Sequence, residues 1–324
     1  MSNSLEIIKA PIEKELKDFE NYFKNSMKSN VALLDTIMYY IYKRKGKQVR
    51  PMMVLLSARM LGDITERTYT AASLIELLHT ATLVHDDVVD DAKERRNFFS
   101  INALWKNKIA VLVGDYLLAK GLLLSIEDNT IGFLKILSSA VKMMSEGELL
   151  QIQKARKLDI TEDVYFEIIK QKTASLISSA CAIGANSVTN DEETIEKMKQ
   201  YGEYIGIAFQ MKDDLFDYGD EEIGKPRGID IKEKKMTLPL IFALQNSDKK
   251  DKRFIMNVVR NHNENSIKVK ELINLIKSKG GMEYTIAKME EYKEKANEIL
   301  MTMPDNEARN SLMELSDYII LRNK

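Results

Sequence analysis

The sequence predicts an all-α protein, and three observations predict it together. Among 324 residues there are 5 prolines, none between Pro51 and Pro226, and only 14 glycines. Apolar residues recur at i, i+3 and i+4 through long stretches rich in good helix formers. Strand signals, meaning period-two alternation bounded by turn pairs, are absent. The expected result is one compact domain over residues 1–324 with ten or more helices.

Taken in order, residues 7–43 read as two amphipathic helices with Asn30 as the break. The basic loop 43–51, K-R-K-G-K-Q-V-R-P, follows, with Pro51 suited to a first helical turn. Helices are expected over 52–61 and 69–90; the second is apolar nearly all round until its acidic end, as befits a buried central helix. A basic loop at 93–97 closes it. Further helices are expected over 110–125, 131–157, from the N-cap Thr161 to about 185, and from Asp191 to Asp217. Residues 218–235 read as a mobile, charged loop with Gly219, Gly224 and Gly228. Thr237 restarts a helix, and 250–324 read as three amphipathic helices punctuated by Gly280, Gly281 and Pro304. No repeat of fixed period appears.

Composition narrows the function classes. A formal net charge of −1 supplies no basic excess for general nucleic-acid binding. The single Cys181 can neither close an intrachain disulfide nor share a metal with another cysteine, so a reducing cytoplasm is expected. The N-terminus lacks the basic and apolar regions of a signal peptide, and no apolar run is expected to span a bilayer.

Two stretches carry the chemistry. L-V-H-D-D-V-V-D-D-A-K-E-R-R at 83–96 and F-Q-M-K-D-D-L-F-D-Y at 209–218 share a D-D-x-x-D core. On helices, Asp86 and Asp90 share a face, and so do Asp213 and Asp217, because positions i and i+4 lie one above the other. Four such acids facing one another would repel unless a cation lay between them. Hard oxygen ligands, few per helix, suit Mg²⁺ that completes its octahedron with water and phosphate. Lys47, Arg50, Arg95, Arg96, Lys172, Lys225 and Lys235 lie in loops or at helix ends near these motifs, where they can grip phosphate oxygens. Solvated acidic helix ends and ordinary surface charges are the bland alternatives. The two acidic copies, each in an apolar frame and followed by basic residues, weigh against them.

G-K-Q-V-R-P, H-D-D-V-V-D-D-A-K-E-R-R, G-D-Y-L-L-A-K, G-E-L-L-Q, K-T-A-S-L, F-Q-M-K-D-D-L-F-D-Y, G-K-P-R-G-I-D-I-K-E-K-K-M-T-L-P and G-G-M-E-Y together resemble the trans-isoprenyl (polyprenyl) diphosphate synthases, over nearly the whole chain and in order. The resemblance implies a helical bundle of the isoprenoid synthase type with a central active-site cavity. It implies condensation of an allylic diphosphate with isopentenyl diphosphate, three Mg²⁺ ions with substrate bound, and a homodimer. It further implies no stable membrane insertion, although peripheral contact could serve product release. By the same resemblance Asp86, Asp90 and Asp213 ligate metal, with Asp87, Asp214 and Asp217 as neighbouring or water-mediated ligands. Arg95, Lys172 and Lys235 hold the allylic diphosphate with Lys225 close by, and Lys47, Arg50, His79 and Arg96 hold isopentenyl diphosphate. Thr173 and Gln210 offer oxygen dipoles to the cation. His85 could be a partner of the acids or a structural histidine.

Ala81 and Thr82, one turn before Asp86, are small where relatives making short products tend to carry an aromatic floor. That leaves a channel whose floor would come from Phe133, Leu137 or Met144, and implies a medium- or long-chain product. Small residues at helix crossings also serve plain packing. Asn97 stands where the family usually has Gly, F-F-S follows it, and Lys154 replaces an acid found in short-chain relatives. A short-chain (geranylgeranyl or farnesyl) synthase, a terpene cyclase and a non-catalytic synthase subunit are the alternatives. The basic loop at 43–50 counts against the cyclase, and two intact acidic motifs count against the subunit.

Overall fold

A computed structural model describes residues 2–44, 46–95, 98–127, 130–219 and 228–321, with side chains except at 2–4, 95 and 127. The fold is all-α. In chain order the helices are α1 (Ser2–Lys9), α2 (Glu13–Ser26), α3 (Ala32–Lys43), α4 (Val49–Leu61), α5 (Glu66–Val89), α6 (Ile101–Glu127), α7 (Ile131–Lys157) and α8 (Glu162–Ile169). They continue as α9 (Ser175–Asn186), α10 (Glu192–Tyr218), α11 (Ile229–Lys232), α12 (Leu238–Gln245), α13 (Lys249–Asn261), α14 (Ser266–Ser278), α15 (Gly281–Met301) and α16 (Glu307–Leu321). A single π-helical turn, Lys170–Ala174, joins α8 to α9. The chain groups into two compact units, each assembled from separated stretches: Met1–Ser139, Ser179–Lys199 and Met303–Leu312 in the first, the remainder in the second.

The first unit is organised by α5, which packs chiefly on α6 and then on α4. Both α4 and α5 are apolar on most sides, so burial rather than amphipathic patterning fixes them: Met52 to Leu56 of α4 and Ala71, Ala72 and Ile75 of α5 are fully enclosed. The N-terminal turn of α5 is held by a reciprocal capping box between Thr65 and Thr68. Gly184 of α9 lets that helix touch α4, since a Cβ there would lie 2.4 Å from the Val54 carbonyl oxygen. Cys181 is wholly buried in this region, and desolvation pushes its thiol up to about 12.

In the second unit the short apolar helix α12 contacts α8, α13, α14 and α15. Leu238, Leu240, Ile241 and Ala243 of α12 join Met211, Leu215, Leu272, Ile276 and Met289 in one apolar core. Each large side chain so enclosed contributes roughly 1.5–3 kcal/mol relative to exposure. Gly280, at φ 79°, turns the chain into α15, and Gly281 permits contact with α12: its Cβ would meet the Pro239 carbonyl oxygen at 2.4 Å.

Several local expectations are corrected. Residues 250–321 form four helices, not three, because the Asn265 side chain accepts hydrogen bonds from the Ile267 and Lys268 amides and starts α14. A two-stranded antiparallel hairpin, β1 (Glu94–Arg95) with β2 (Phe98–Phe99), occupies the basic loop. The charged stretch expected as loop contains α11. Helix α6 begins at Ile101, earlier than expected, with a non-helical break at Lys106 (φ 73°). Contrary to the expectation that no segment would qualify, Ile101–Ile126 is long and apolar enough to cross a membrane, by length and composition. The reason is that residues 109–126 carry only Asp115 and Lys120 as charges. Val113 and Leu117 of this helix are buried, while Leu104, Val111, Leu112, Leu122, Leu123 and Ile126 are exposed.

Candidate functional site

In the first unit, Asp86 and Asp90 are both exposed at the C-terminal end of α5, as the i, i+4 spacing requires. Asp90 caps the helix, and its amide donates to the Asp86 carbonyl at 2.8 Å. Acids at this end stand against the negative pole of the helix dipole, and the last turn of α5 holds no basic residue. Against the dipole, such an arrangement is unfavourable. Asp87 points the other way. It is 4% exposed, and its carbonyl accepts from Asn102 Nδ2 at 3.0 Å. His85 packs on α6, with Nε2 3.5 Å from Asp115 Oδ1 and 3.3 Å from the Val111 carbonyl oxygen. That packing needs Gly114, where an added Cβ would fall 2.1 Å from the imidazole.

The basic residues assigned to isopentenyl diphosphate are brought together in part. Gln48, at φ 54°, turns the loop into α4 and carries Arg50 to His79, Nη1 to Nε2 at 3.0 Å. A guanidinium only donates, so this imidazole nitrogen accepts. His79 and Asp87 line one pocket with Arg44, Gly46 and Phe98. The Arg44 guanidinium lies 3.4 Å from the Tyr40 ring centroid and 4.3 Å from that of Phe98, which gives the F-F-S departure a packing role. Arg96, Asn97 and Lys225 lie outside the described residues, as does the side chain of Arg95.

In the second unit Lys172, Thr173, Gln210, Asp214 and Lys235 line a single pocket, joined there by Gln151, Tyr165 and Asp230. The π turn Lys170–Ala174 carries Lys172 and Thr173, and such one-residue insertions re-aim side chains within a helix. Close packing from two helices pins it. A Cβ at Gly147 of α7 would meet the Lys172 amide nitrogen at 2.9 Å, and one at Gly206 of α10 would meet Ala174 Cα at 2.5 Å. Lys172 pairs with Glu148 and Lys235 with Glu233. Lys154 lies 3.3 Å from Asp159, so its charge is neutralised locally.

The three acids of the second motif diverge. Asp213 is half-buried, whereas Asp214 is 5% exposed and accepts from Tyr165 Oη at 2.7 Å and Gln210 Nε2 at 2.8 Å. Asp217 accepts from the Ile229 and Asp230 amides at 2.8 and 3.2 Å and so caps α11. Burial, then the charge of Asp230, raises the Asp214 carboxyl; burial, then the charge of Asp217, raises Asp230. Tyr165 and Asp230 were missed by sequence reasoning. Asp230 sits inside the quoted G-K-P-R-G-I-D stretch, but Tyr165 carries no motif signal.

Among the described residues no group of three or more His, Cys, Asp or Glu side chains is assembled to hold a metal. The donor chemistry nevertheless fits Mg²⁺: carboxylates contribute few ligands from each helix, leaving the rest to phosphate and water. Ala81 is fully enclosed, Thr82 is half-buried and donates to the His79 carbonyl at 2.9 Å, and Leu137 is 8% exposed. Phe133 is buried with the Arg67 guanidinium 5.2 Å from its ring centroid.

The family described as polyprenyl synthetase matches residues 31–276. Octaprenyl diphosphate synthase of Escherichia coli (strain K12) is 35% identical over 302 residues, 92% of this chain and 93% of that protein. A polyprenyl synthase from Caulobacter crescentus CB15, solved with calcium and isoprenyl diphosphate, superposes with TM-score 0.90 at 32% identity, covering 99% of this chain and 98% of that one. A geranylgeranyl pyrophosphate synthase from Bacteroides thetaiotaomicron gives TM-score 0.83 at 39% identity, covering 99% and 100%.

The pinned π turn is testable by Gly206→Ala. The added methyl has backbone and Cβ of Ala174 in its way, so stability should fall by about 1–3 kcal/mol. An unchanged denaturant midpoint would mean that α10 does not clamp the turn.

Proposed function

This chain belongs to the polyprenyl synthetase family, and on that premise we propose that it is a prenyltransferase joining isopentenyl diphosphate to an allylic prenyl diphosphate. The observation that carries the reading is the single pocket lined by Lys172, Thr173, Gln210 and Lys235 beside the second acidic motif. Both units serve one catalytic domain in this reading, supported by one family match that runs through stretches of each.

Asp86, Asp90 and Asp213 hold Mg²⁺, three ions with substrate bound, while Asp87, Asp214 and Asp217 shape their surroundings. Bound magnesium supplies Lewis-acid neutralisation of the diphosphate leaving group. Arg95, Lys172, Lys225 and Lys235 grip the same diphosphate by point charges and forks. Cleavage of the C–O bond leaves an allylic cation, towards which Thr173 and Gln210 turn oxygen dipoles. Water must be excluded, since it would trap the cation as an alcohol. Lys47, Arg50, His79 and Arg96 orient isopentenyl diphosphate so that its alkene attacks the cation. Loss of a proton to the departed diphosphate then gives the lengthened all-trans product. The basic residues near 43–50 favour this over a cyclase, which has no second diphosphate to hold.

The product is proposed to be medium or long. Ala81 lies about 8 Å below Asp86 along α5, at ~1.5 Å per residue, and is too small to form a floor. Phe133 of α7 packs beside Arg67, which stands near the far end of α5, 19 residues and about 28 Å from Asp86. Thr82, one turn from Asp86, and Leu137, one turn beyond Phe133 on α7, are proposed as further walls of the channel. Helix α6 exposes Leu112, Leu122, Leu123 and Ile126, which supports burial of that face in a homodimer. A cytoplasmic location fits the lone, buried cysteine.

Incubation with isopentenyl diphosphate, a series of allylic primers and Mg²⁺ should yield chain-elongated diphosphates. Asp86→Ala and Asp213→Ala should each abolish turnover with helicity retained by circular dichroism. Condensation surviving in either variant contradicts the metal assignment. Ala81→Phe should shorten the product at some loss of stability, because the site is already full; an unchanged length distribution places the floor elsewhere. Light scattering should give twice the chain mass, and Leu122→Glu should shift it towards the monomer. A monomeric wild type removes the dimer proposal.

A further inference from the structure

We propose that Tyr40 and Arg44, at the end of α3, are positioning residues that fasten the hairpin β1–β2. Through it they set the backbone of Arg95, read above as gripping the allylic diphosphate, so the inference rests on the prenyltransferase reading. Each strand has two residues, with Arg95 paired to Phe98 and Glu94 to Phe99. A hairpin this short is not stable in water without packing on another element. Its aromatic residues are not sunk in a core: Phe98 is 47% exposed and Phe99 57%. Ser100 closes the base, its amide donating to the Lys93 carbonyl at 3.0 Å and its hydroxyl to that of Ala92 at 2.7 Å. The strands themselves are held from α3.

Tyr40 lies in the last turn of α3 and Arg44 is its C-cap, four residues on and so on the same face. Both reach one atom. Tyr40 Oη donates to the Phe99 carbonyl at 2.6 Å, and Arg44 Nη1 donates to it at 3.4 Å. The guanidinium also lies over two rings, 3.4 Å from the Tyr40 centroid and 4.3 Å from that of Phe98. A planar cation stacks on aromatic faces in a way that an ammonium does not. Strand β2 is thus gripped at its backbone and at a side chain, and the ladder passes that hold to Arg95, opposite Phe98. An arginine grips phosphate best from a fixed backbone, because binding must otherwise overcome the entropy of ordering the segment that carries it.

The test sets calorimetric binding of inorganic pyrophosphate with Mg²⁺ beside steady-state kinetics. Arg44→Ala should raise the pyrophosphate Kd and the KM for the allylic diphosphate together, by about fivefold to thirtyfold. kcat should stay nearly unchanged, because a bound diphosphate itself orders the hairpin. Phe98→Leu leaves the charge of Arg44 in place but removes a ring it lies on, and should reproduce that pattern. Combining the two should add little to either alone, since both remove one contact. Arg44→Lys, which keeps the charge and loses the planar face, should fall between wild type and Arg44→Ala. Trp105, the single tryptophan, packs edge-on to Tyr40 with ring centroids 5.1 Å apart, so its unchanged emission is the check that α3 keeps its place in these variants. An Arg44→Ala protein that binds pyrophosphate as wild type does overturns the inference. So does Phe98→Leu with a wild-type KM, which would leave Arg44 acting by charge alone. A wild type that binds pyrophosphate yet condenses no pair of diphosphates removes the prenyltransferase reading instead, and the binding comparison still decides the clamp.

Discussion

Negative charge gathered where nothing intrinsic to a helix favours it is the constraint on which this protein turns. At the end of α5 the acids oppose the helix dipole, and no lysine or arginine of the last turn relieves them. In α10 the second set is partly sunk among apolar residues, where desolvation and repulsion raise Asp214 and, on α11, Asp230. Stability alone would replace such groups by neutral ones. On the proposed function, their presence answers to bound cations and to the phosphate oxygens that complete the coordination of those cations.

The scaffold answers that demand with rigidity. Helix α5 is enclosed over most of its length, so its acidic end is fixed by the packing of α4 and α6 rather than by local propensity. The π turn is similarly over-determined, squeezed from one side by Gly147 and from the other by Gly206. Irregular backbone is thereby held on a regular support, and catalytic groups on such supports keep the geometry that electrostatic stabilisation of a short-lived cation needs.

The hydrogen-bonded chain from Tyr165 through Asp214 and Gln210 to Thr173 extends the same logic inward. Tyr165 and Gln210 each meet one oxygen of Asp214, and Gln210 in turn meets Thr173. Burial raises the stakes: a chain of this kind is strong when every member is satisfied and costly when one is not.

The helical class, the common face of Asp86 and Asp90, and the kinship of the chain were legible in the sequence, because each depends on residue spacing along the chain. A period of 3.6 residues places i and i+4 together whatever the rest of the molecule does. The inward turn of Asp87 and Asp214, the capping of α11 by Asp217 and the engagement of Tyr165 were not legible. They depend on partners that the linear pattern does not connect, such as Tyr165 and Asp214, 49 residues apart. Nor could composition foretell the π turn, since a single inserted residue leaves apolar periodicity almost unchanged and exists only because glycines on two other helices let it be pressed into place. The sequence by itself determined which residues carry charge and on which helical face; only tertiary packing decided which of those charges meet solvent and which are enclosed, because desolvation is a property of neighbours in space.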